Sequence, residues 1–125
     1  MQNLVGIFRT EEDLHSALKK IEQLQERSEQ LAVSGSRMFN PGWHLARDLK
    51  SMLTVSEAAT RSALARRESR GAHSRIDCPN LDAAWGKQNN VISRRGRSME
   101  LRQMPVPQMP GDLQSLLADE KGAGA

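Results

Sequence analysis

Two stretches of the chain repeat apolar residues at three- and four-residue intervals, which is the spacing of an amphipathic helix. The first begins at Thr10, which resembles a capping-box residue and precedes three acids that suit the positive end of the helix dipole. We expect about five to six helical turns, ending near Gly35, because glycine suits a left-handed C-terminal cap. The apolar positions of this helix are Leu14, Ala17, Leu18, Ile21, Leu24 and Leu31.

The second stretch follows Asn40 and Pro41, where asparagine can cap a helix and proline can occupy its first position. We expect this helix to reach Arg70 and to stop at Gly71. Its second half is rich in alanine and serine, and such small residues let a partner helix approach closely. The apolar positions are Leu45, Leu49, Met52, Leu53, Val55, Ala59, Ala63 and Leu64.

Composition agrees with a helical fold. Aromatic residues make up 3% of the 125 residues, whereas sheet proteins draw on aromatic and β-branched side chains. The pattern and the composition together predict an all-α fold in one domain dominated by two long antiparallel helices. The single Cys78 excludes an internal disulfide and fits a reducing compartment.

Helical periodicity is lost after Gly71. Trp85 is a large apolar anchor, and the partial alternation over residues 91–104 could form a short exposed strand or an extended segment. Residues 105–112 are proline-rich and are expected to be extended. Beyond them we expect a short helix with a disordered end, capped by Asp112 and carrying Leu113, Leu116 and Leu117.

The charge of the chain indicates no strong nucleic-acid binder. Eighteen basic residues against 15 acids give a net charge of +3. A basic run, Arg94, Arg95 and Arg97 with Arg102 nearby, lacks interleaved aromatic residues and is interrupted by Glu100. A solvated loop or a protein-docking strip is therefore the favoured interpretation.

The sequence contains no recognisable chemical site. Its three histidines do not have zinc-ligand spacing, and no glycine-rich phosphate loop or nucleophile elbow is present. We therefore expect no catalytic, cofactor-binding or metal-binding residue in this chain.

The most charged stretch, RRESRGAHSRID at residues 66–77, allows two interpretations. Arg66, Arg67 and Arg70 could lie in the last turns of the second helix, where cations favour the negative end of the dipole. Glu68 and Asp77 could then pair with them. Alternatively, Ser69, Arg70, Gly71 and His73 could form a constrained turn that presents an arginine to an interface. Composition leaves both open.

The segment MLTVSEAATRSALARRESRGAHSRIDCP closely resembles the C-terminal helical domain of the flavoprotein subunit of succinate dehydrogenase and fumarate reductase. NPGWHLARDLKSML and VGIFRTEEDLHSAL resemble earlier parts of that domain, so the resemblance covers residues 1–85. Ala72 favours this branch over aspartate oxidases, which usually have leucine there. Cys78 departs from the family's usual Tyr or Phe.

The resemblance implies a spectrin-repeat-like three-helix bundle, truncated here because its first helix would precede Met1. Residues 86–125 would then form an extended C-terminal arm with a short terminal helix. A second copy of the chain, as a homodimer, or the tail would cover the exposed face of the two helices.

The resemblance also implies interconversion of succinate and fumarate with FAD, and electron transfer to an iron–sulfur subunit, in a longer protein. That protein would be a peripheral subunit on the cytoplasmic face of the inner membrane. This chain would be soluble and inactive alone, would bind no cofactor itself, and would dock on the FAD-binding domain. The residues carried over as the family signature, with a structural role, are Arg66, Glu68, Ser69, Arg70, Gly71, His73 and Arg75. The alternative is an independent basic helical module that binds protein or nucleic acid.

Overall fold

The computed structural model describes residues 1–96, 98–111 and 113–114. These residues form two long helices, a short 3₁₀ helix and two small sheets, so the fold is mixed α/β. The elements are β1 (Phe8–Arg9), α1 (Glu11–Glu29), α2 (Pro41–Ala65), β2 (Ser74–Arg75), the 3₁₀ helix Trp85–Lys87, β3 (Gln88–Arg95) and β4 (Ser98–Pro105). The expected all-α, truncated three-helix bundle is therefore wrong.

Both helix starts predicted from the sequence are confirmed. The Thr10 hydroxyl accepts a hydrogen bond from the Asp13 amide at 3.1 Å, which satisfies one free amide of the first turn of α1. The Asn40 side chain accepts from the Gly42 amide at 2.9 Å, and Pro41 opens α2 without needing a hydrogen-bond partner for its nitrogen.

Both predicted helix ends are wrong, because each helix stops about five residues early. α1 ends at Glu29, where the Gln30 amide bonds back to the Arg27 carbonyl at 3.2 Å in a tightened last turn. Gly35 does have a positive φ of 94°, but it lies in the loop that joins the helices. α2 ends at Ala65, and Arg66 after it is already extended.

The two helices pack antiparallel, and polar pairs join them along one side. Gln25 donates to Glu57 at 2.8 Å, and Lys50 pairs with Glu29 at 3.1 Å. The buried apolar residues between the helices are Leu14, Ala17, Ile21, Leu53 and Ala63. This core is smaller than the sequence predicted.

Several residues of the predicted apolar stripes remain outside that core. Leu45, Met52 and Val55 of α2 are each more than 60% exposed, and Leu24 of α1 is 43% exposed. The stripes are therefore wider than the single contact between the two helices.

The expected extended arm is instead a β-hairpin that folds back onto α2. β3 and β4 pair antiparallel from Gln88 opposite Pro105 to Arg95 opposite Ser98, around a turn where Gly96 has a φ of 63°. The Asn90 side-chain amide donates to the Ser62 carbonyl at 3.0 Å and so ties the hairpin to the end of α2. The alternation seen in the sequence thus belongs to two paired strands.

A second, two-stranded sheet joins distant parts of the chain. β1 and β2 run parallel, with Phe8 opposite Ser74 and Arg9 opposite Arg75. This pairing places the segment before α1 against the segment after α2.

The expected helix after Asp112 and the terminal KGAGA lie largely outside the described residues. Among the residues described, no helix combines the length and the apolar character needed to cross a membrane.

Candidate functional site: the signature turn

The signature-like residues fall in one structural unit, which we call the signature turn (residues 66–82). Its tip is a two-residue reversal: the Arg70 amide donates to the His73 carbonyl at 2.8 Å, and the His73 amide donates back to Arg70 at 3.0 Å. Gly71, the first residue of the reversal, has a φ of 56°, whereas Ala72 does not have a positive φ. This is the arrangement of a type II′ turn, which needs glycine at its first central position.

At the centre of the turn, Glu68 is fully buried at 0% exposure. Its Oε1 accepts from Arg66 Nη1 and from Arg70 Nε at 2.8 Å, and its Oε2 accepts from Arg70 Nη2 at 3.1 Å and from the Asp82 amide at 2.9 Å. Hydrogen bonds from Arg70 are the largest cause that lowers the pKa of Glu68 to about 2, against the opposing effect of burial. The same contact raises the pKa of Arg70.

Arg70 and Arg66 extend this cluster to the 3₁₀ helix. Arg70 Nη2 also donates to the Asp82 carbonyl at 3.0 Å, and a methyl group on Gly86 would lie 2.9 Å from that nitrogen. The Arg66 guanidinium lies 5.4 Å from the centre of the Trp85 ring, within the range of a cation–π contact.

Sequence reasoning missed the roles of Asp82 and Gly86 here. It named Trp85 only as an apolar anchor. The sequence carries little signal for these roles, because neither the Asp82 backbone amide nor the absence of a side chain at Gly86 has a partner until the chain has folded.

A second charge cluster joins the ends of the two helices. Arg75 is 1% exposed, and its Nη1 donates to the carbonyls of Ala63 and Leu64 at 3.2 and 3.3 Å. It also holds Asp77 through two hydrogen bonds, at 2.7 and 2.6 Å. Asp77 in turn accepts from the Glu11 amide at 3.0 Å, in the first turn of α1.

The Arg75–Asp77 pair therefore matches both helix dipoles. A cation lies at the negative C-terminus of α2, an anion lies at the positive N-terminus of α1, and free backbone groups at both ends are satisfied. Hydrogen bonding by Arg75 strongly lowers the pKa of Asp77, and Asp77 raises the pKa of Arg75.

Ser69 holds the return path of the chain. Its hydroxyl accepts from the Arg75 amide at 2.8 Å and lies 2.9 Å from the Cys78 carbonyl, to which it can donate. The Ser69 amide donates to Asn80 at 3.1 Å. Ser69 thus joins three points of the turn, two through its side chain and one through its backbone amide.

His73 is held as a neutral ring. Because Arg9 can only donate, His73 Nδ1 accepts its hydrogen bond at 2.8 Å, so Nε2 carries the proton and donates to the Arg66 carbonyl at 3.1 Å. Burial is the largest cause that lowers the pKa of His73, and the positive charges of Arg9, Arg75 and Arg66 lower it further.

The structure thus brings the seven signature-like residues together in one network around the turn. The helix-end interpretation of Arg66 and Arg70 is wrong, because both lie beyond α2. The helix-end role belongs to Arg75, which the sequence analysis did not consider for it. The buried Glu68 and the partly exposed Asp77 are both bound by arginine, so the arrangement resembles a structural joint more than a reactive centre.

The basic run lies on the β-hairpin, away from this network. Arg94 donates to the Gly96 carbonyl at 2.9 Å, and Arg95 pairs with Glu100 at 3.4 Å. Arg97 is outside the described residues. In the part of the chain that the structure describes, no group of three or more His, Cys, Asp or Glu side chains could hold a metal ion.

The chain is similar to known flavoprotein subunits. The family model described as fumarate reductase flavoprotein C-term matches residues 1–114. The fumarate reductase flavoprotein subunit of Helicobacter pylori is 41% identical over 83 residues, which are 66% of this chain and 12% of that protein. The succinate dehydrogenase flavoprotein subunit of Coxiella burnetii is 37% identical over 92 residues, covering 73% of this chain and 16% of that protein.

The fold is matched as well. The solved structure of Mycobacterium smegmatis Sdh1 in complex with UQ1 aligns with 93% of this chain and 20% of its own chain, with a TM-score of 0.83 and 38% identity. The chain therefore spans between 12% and 20% of the length of these three relatives. It belongs to the family of C-terminal domains of succinate dehydrogenase and fumarate reductase flavoprotein subunits.

Proposed function

We propose that this chain is the C-terminal structural part of a longer flavoprotein subunit that interconverts succinate and fumarate. The full subunit would bind FAD and pass electrons to an iron–sulfur subunit at the cytoplasmic face of the inner membrane. The observation that carries this proposal is the match of residues 1–114 to this family, together with relatives of which this chain covers only 12% to 20%.

In that subunit the role of this chain is structural and not catalytic. Arg66, Glu68, Ser69, Arg70, Gly71, His73 and Arg75 hold the signature turn and dock it on the FAD-binding domain. Their arrangement supports this role, because the acids and the histidine are occupied by internal hydrogen bonds. We place the boundary within the chain after Trp85, so that residues 1–85 form the helical part and residues 86–125 the hairpin part.

The encoding gene tests the proposal most directly. We expect the reading frame to continue several hundred codons upstream of Met1 and to encode a dinucleotide-binding glycine motif. The full-length product should carry FAD, whereas residues 1–125 alone should bind no flavin and should not oxidise succinate. A natural start codon at Met1 would contradict the proposal, as would steeply salt-dependent DNA binding by the isolated chain.

Arg70→Ala in the full-length subunit tests the role of the signature turn. We expect impaired stability or assembly, because Glu68 would remain buried with one arginine fewer. Normal folding combined with loss of the chemical step would instead show that Arg70 acts in catalysis.

A further inference from the structure

The sheet formed by β1 and β2 has its charged side chains on the inside and carries apolar side chains on the outside. Side chains alternate across a strand, so Arg9 and Arg75, which are paired in register, point to the same face. That face is turned towards the end of α2, where Arg75 contacts two carbonyls. Phe8 and Ile76 point the other way and are 70% and 62% exposed. Ser74, the register partner of Phe8, lies on the same side, and Phe8 and Ile76 form the apolar part of what we call the outer face.

This distribution is unusual for a parallel sheet. Parallel strands are almost always covered on both faces, and an exposed apolar patch commonly marks an interaction site. The inner face is already filled by Arg9, His73 and Arg75 with their hydrogen-bond partners. Among the residues that the structure describes, the outer face is therefore the one without a cover.

We propose that the outer face docks on an apolar surface of the rest of the same flavoprotein subunit. This inference rests on the proposed function. The aligned Mycobacterium smegmatis chain is matched over only 20% of its length, so most of such a polypeptide lies outside the part that this chain represents. A covalently attached body has an effective concentration on the order of millimolar, so a small patch is enough to hold it.

The size of the patch argues against separate partners. Complete burial of a phenylalanine removes roughly 150–250 Å² from water, and an isoleucine is smaller. The outer face can therefore bury roughly 300–400 Å² on its own side, or about 600–800 Å² in a symmetric dimer, below the roughly 1,000 Å² expected of a stable interface. The same limit applies to a separate iron–sulfur subunit.

Contacts on the inner face fix the backbone that carries the outer-face side chains. Arg75 is fixed by Asp77 and by two backbone carbonyls, and the Ile76 amide donates to the Arg9 carbonyl at 2.9 Å. Side chains carried on such a braced pair lose little conformational freedom on docking.

Thiol labelling in the full-length subunit tests the proposal. Phe8→Cys and Ile76→Cys are made in a Cys78→Ser background, in the 125-residue chain and in the full-length subunit. We expect both thiols to react at least about tenfold more slowly in the subunit, since reaction would require local opening. Glu22→Cys, an exposed position on α1, is the control and should change by less than about twofold.

A second measurement does not depend on the thiols. Phe8→Asp should lower the melting temperature of the full-length subunit and leave that of the 125-residue chain unchanged, as seen by circular dichroism. Equal labelling in both proteins would overturn the proposal. So would protection in the isolated chain that rises with concentration, which indicates a second copy, or protection that requires the iron–sulfur subunit.

The two proposals can fail separately. A gene without upstream coding sequence removes both of them. A full-length subunit that binds FAD but leaves the Phe8→Cys and Ile76→Cys thiols reactive removes only the docking face.

Discussion

The two ends of the helical hairpin are built in different ways. At the signature end, the Arg75–Asp77 pair joins the N-terminus of α1 to the C-terminus of α2. Arg75 is 1% exposed, and Glu68 in the turn that follows α2 is 0% exposed. At the loop end, residues 30–40 connect the helices through a segment in which Met38 and Phe39 are 75% and 98% exposed. The Lys50–Glu29 ion pair there is exposed on both sides.

The difference shows where this chain is held by its own contacts. At the signature end, Arg75 and Asp77, which follow α2, satisfy backbone groups of both helices. At the loop end, the side-chain cap of α2 comes from Asn40 in the loop itself. Buried, hydrogen-bonded charges are costly to break, while exposed ion pairs contribute little. We therefore expect the two ends to respond very differently to substitution.

The largest effect should follow Arg75→Met. The change leaves the carbonyls of Ala63 and Leu64 without their partner and removes the hydrogen bonds to the partly exposed Asp77, and we expect the free energy of unfolding to fall by about 2–4 kcal/mol. Lys50→Met at the loop end is the control and should cost less than about 0.5 kcal/mol. Urea denaturation followed by circular dichroism measures both. Similar losses for the two variants would remove the distinction between the ends.

A smaller loss should follow Ser69→Ala. The Arg75 amide and the Cys78 carbonyl would each lose a hydrogen bond inside the turn, at a cost of about 1–2 kcal/mol. Ser36→Ala is the matched variant, because the Ser36 hydroxyl accepts from the Met38 amide in the exposed loop. That substitution should cost about 0.5 kcal/mol or less. Equal costs would show that the Ser69 hydrogen bonds contribute no more to stability than the Ser36 hydrogen bond in the exposed loop.

The contribution of the signature end to stability should also depend on pH in the mildly acidic range. The folded-state pKa of His73 is lowered, so the unfolded chain binds the proton more readily. The stabilisation is complete above the ordinary pKa of about 6.5 and is lost as the pH falls through that value towards the folded-state pKa. His73→Gln, which can still accept from Arg9 and donate to the Arg66 carbonyl, should flatten this dependence between about pH 5 and 7. His44→Gln should leave it intact, and a flattened profile in that control would point to another titrating group.

Backbone conformation offers the finest comparison between the ends. Phe39 has a φ of 56° at the loop end, and Gly71 has the same φ at the signature end. Phe39→Gly removes strain without loss of packing and should stabilise the chain by about 0.5–1 kcal/mol. Gly71→Ala places a side chain at the positive-φ position of the type II′ turn, with no atom within 4 Å of the added methyl, and should cost about 1 kcal/mol or more. Thermal unfolding of both variants would show opposite shifts; shifts of the same sign would contradict this account.

Local chemistry was sufficient to predict how each helix starts. Thr10 and Asn40 cap amides only two or three residues away, so their effect depends on neighbouring sequence alone. The helix ends were mispredicted because Gly35 and Gly71 appear to be caps, yet both occupy positive-φ positions in turns beyond the helices. Arg75, ten residues beyond the end of α2, caps that helix instead.

The missed sheet content has a similar cause. β1 and β2 pair across more than sixty residues of sequence, through strands of two residues each, and no local pattern predicts such a contact. The β3–β4 hairpin shows only partial alternation in the sequence. That pattern predicts a short exposed strand or an extended segment, but not the pairing of two strands.

The sequence by itself determined the two amphipathic helices, their starts and the family of the chain, because caps, periodicity and a contiguous motif are all local properties. Tertiary structure alone decided what the motif does within the fold. The charged residues of the segment 66–77 are close together in the sequence, but their partners are helix ends and backbone groups that meet only on folding. Burying such charges is unfavourable unless all of their partners are in place, so the role of these residues depends on the assembled tertiary structure.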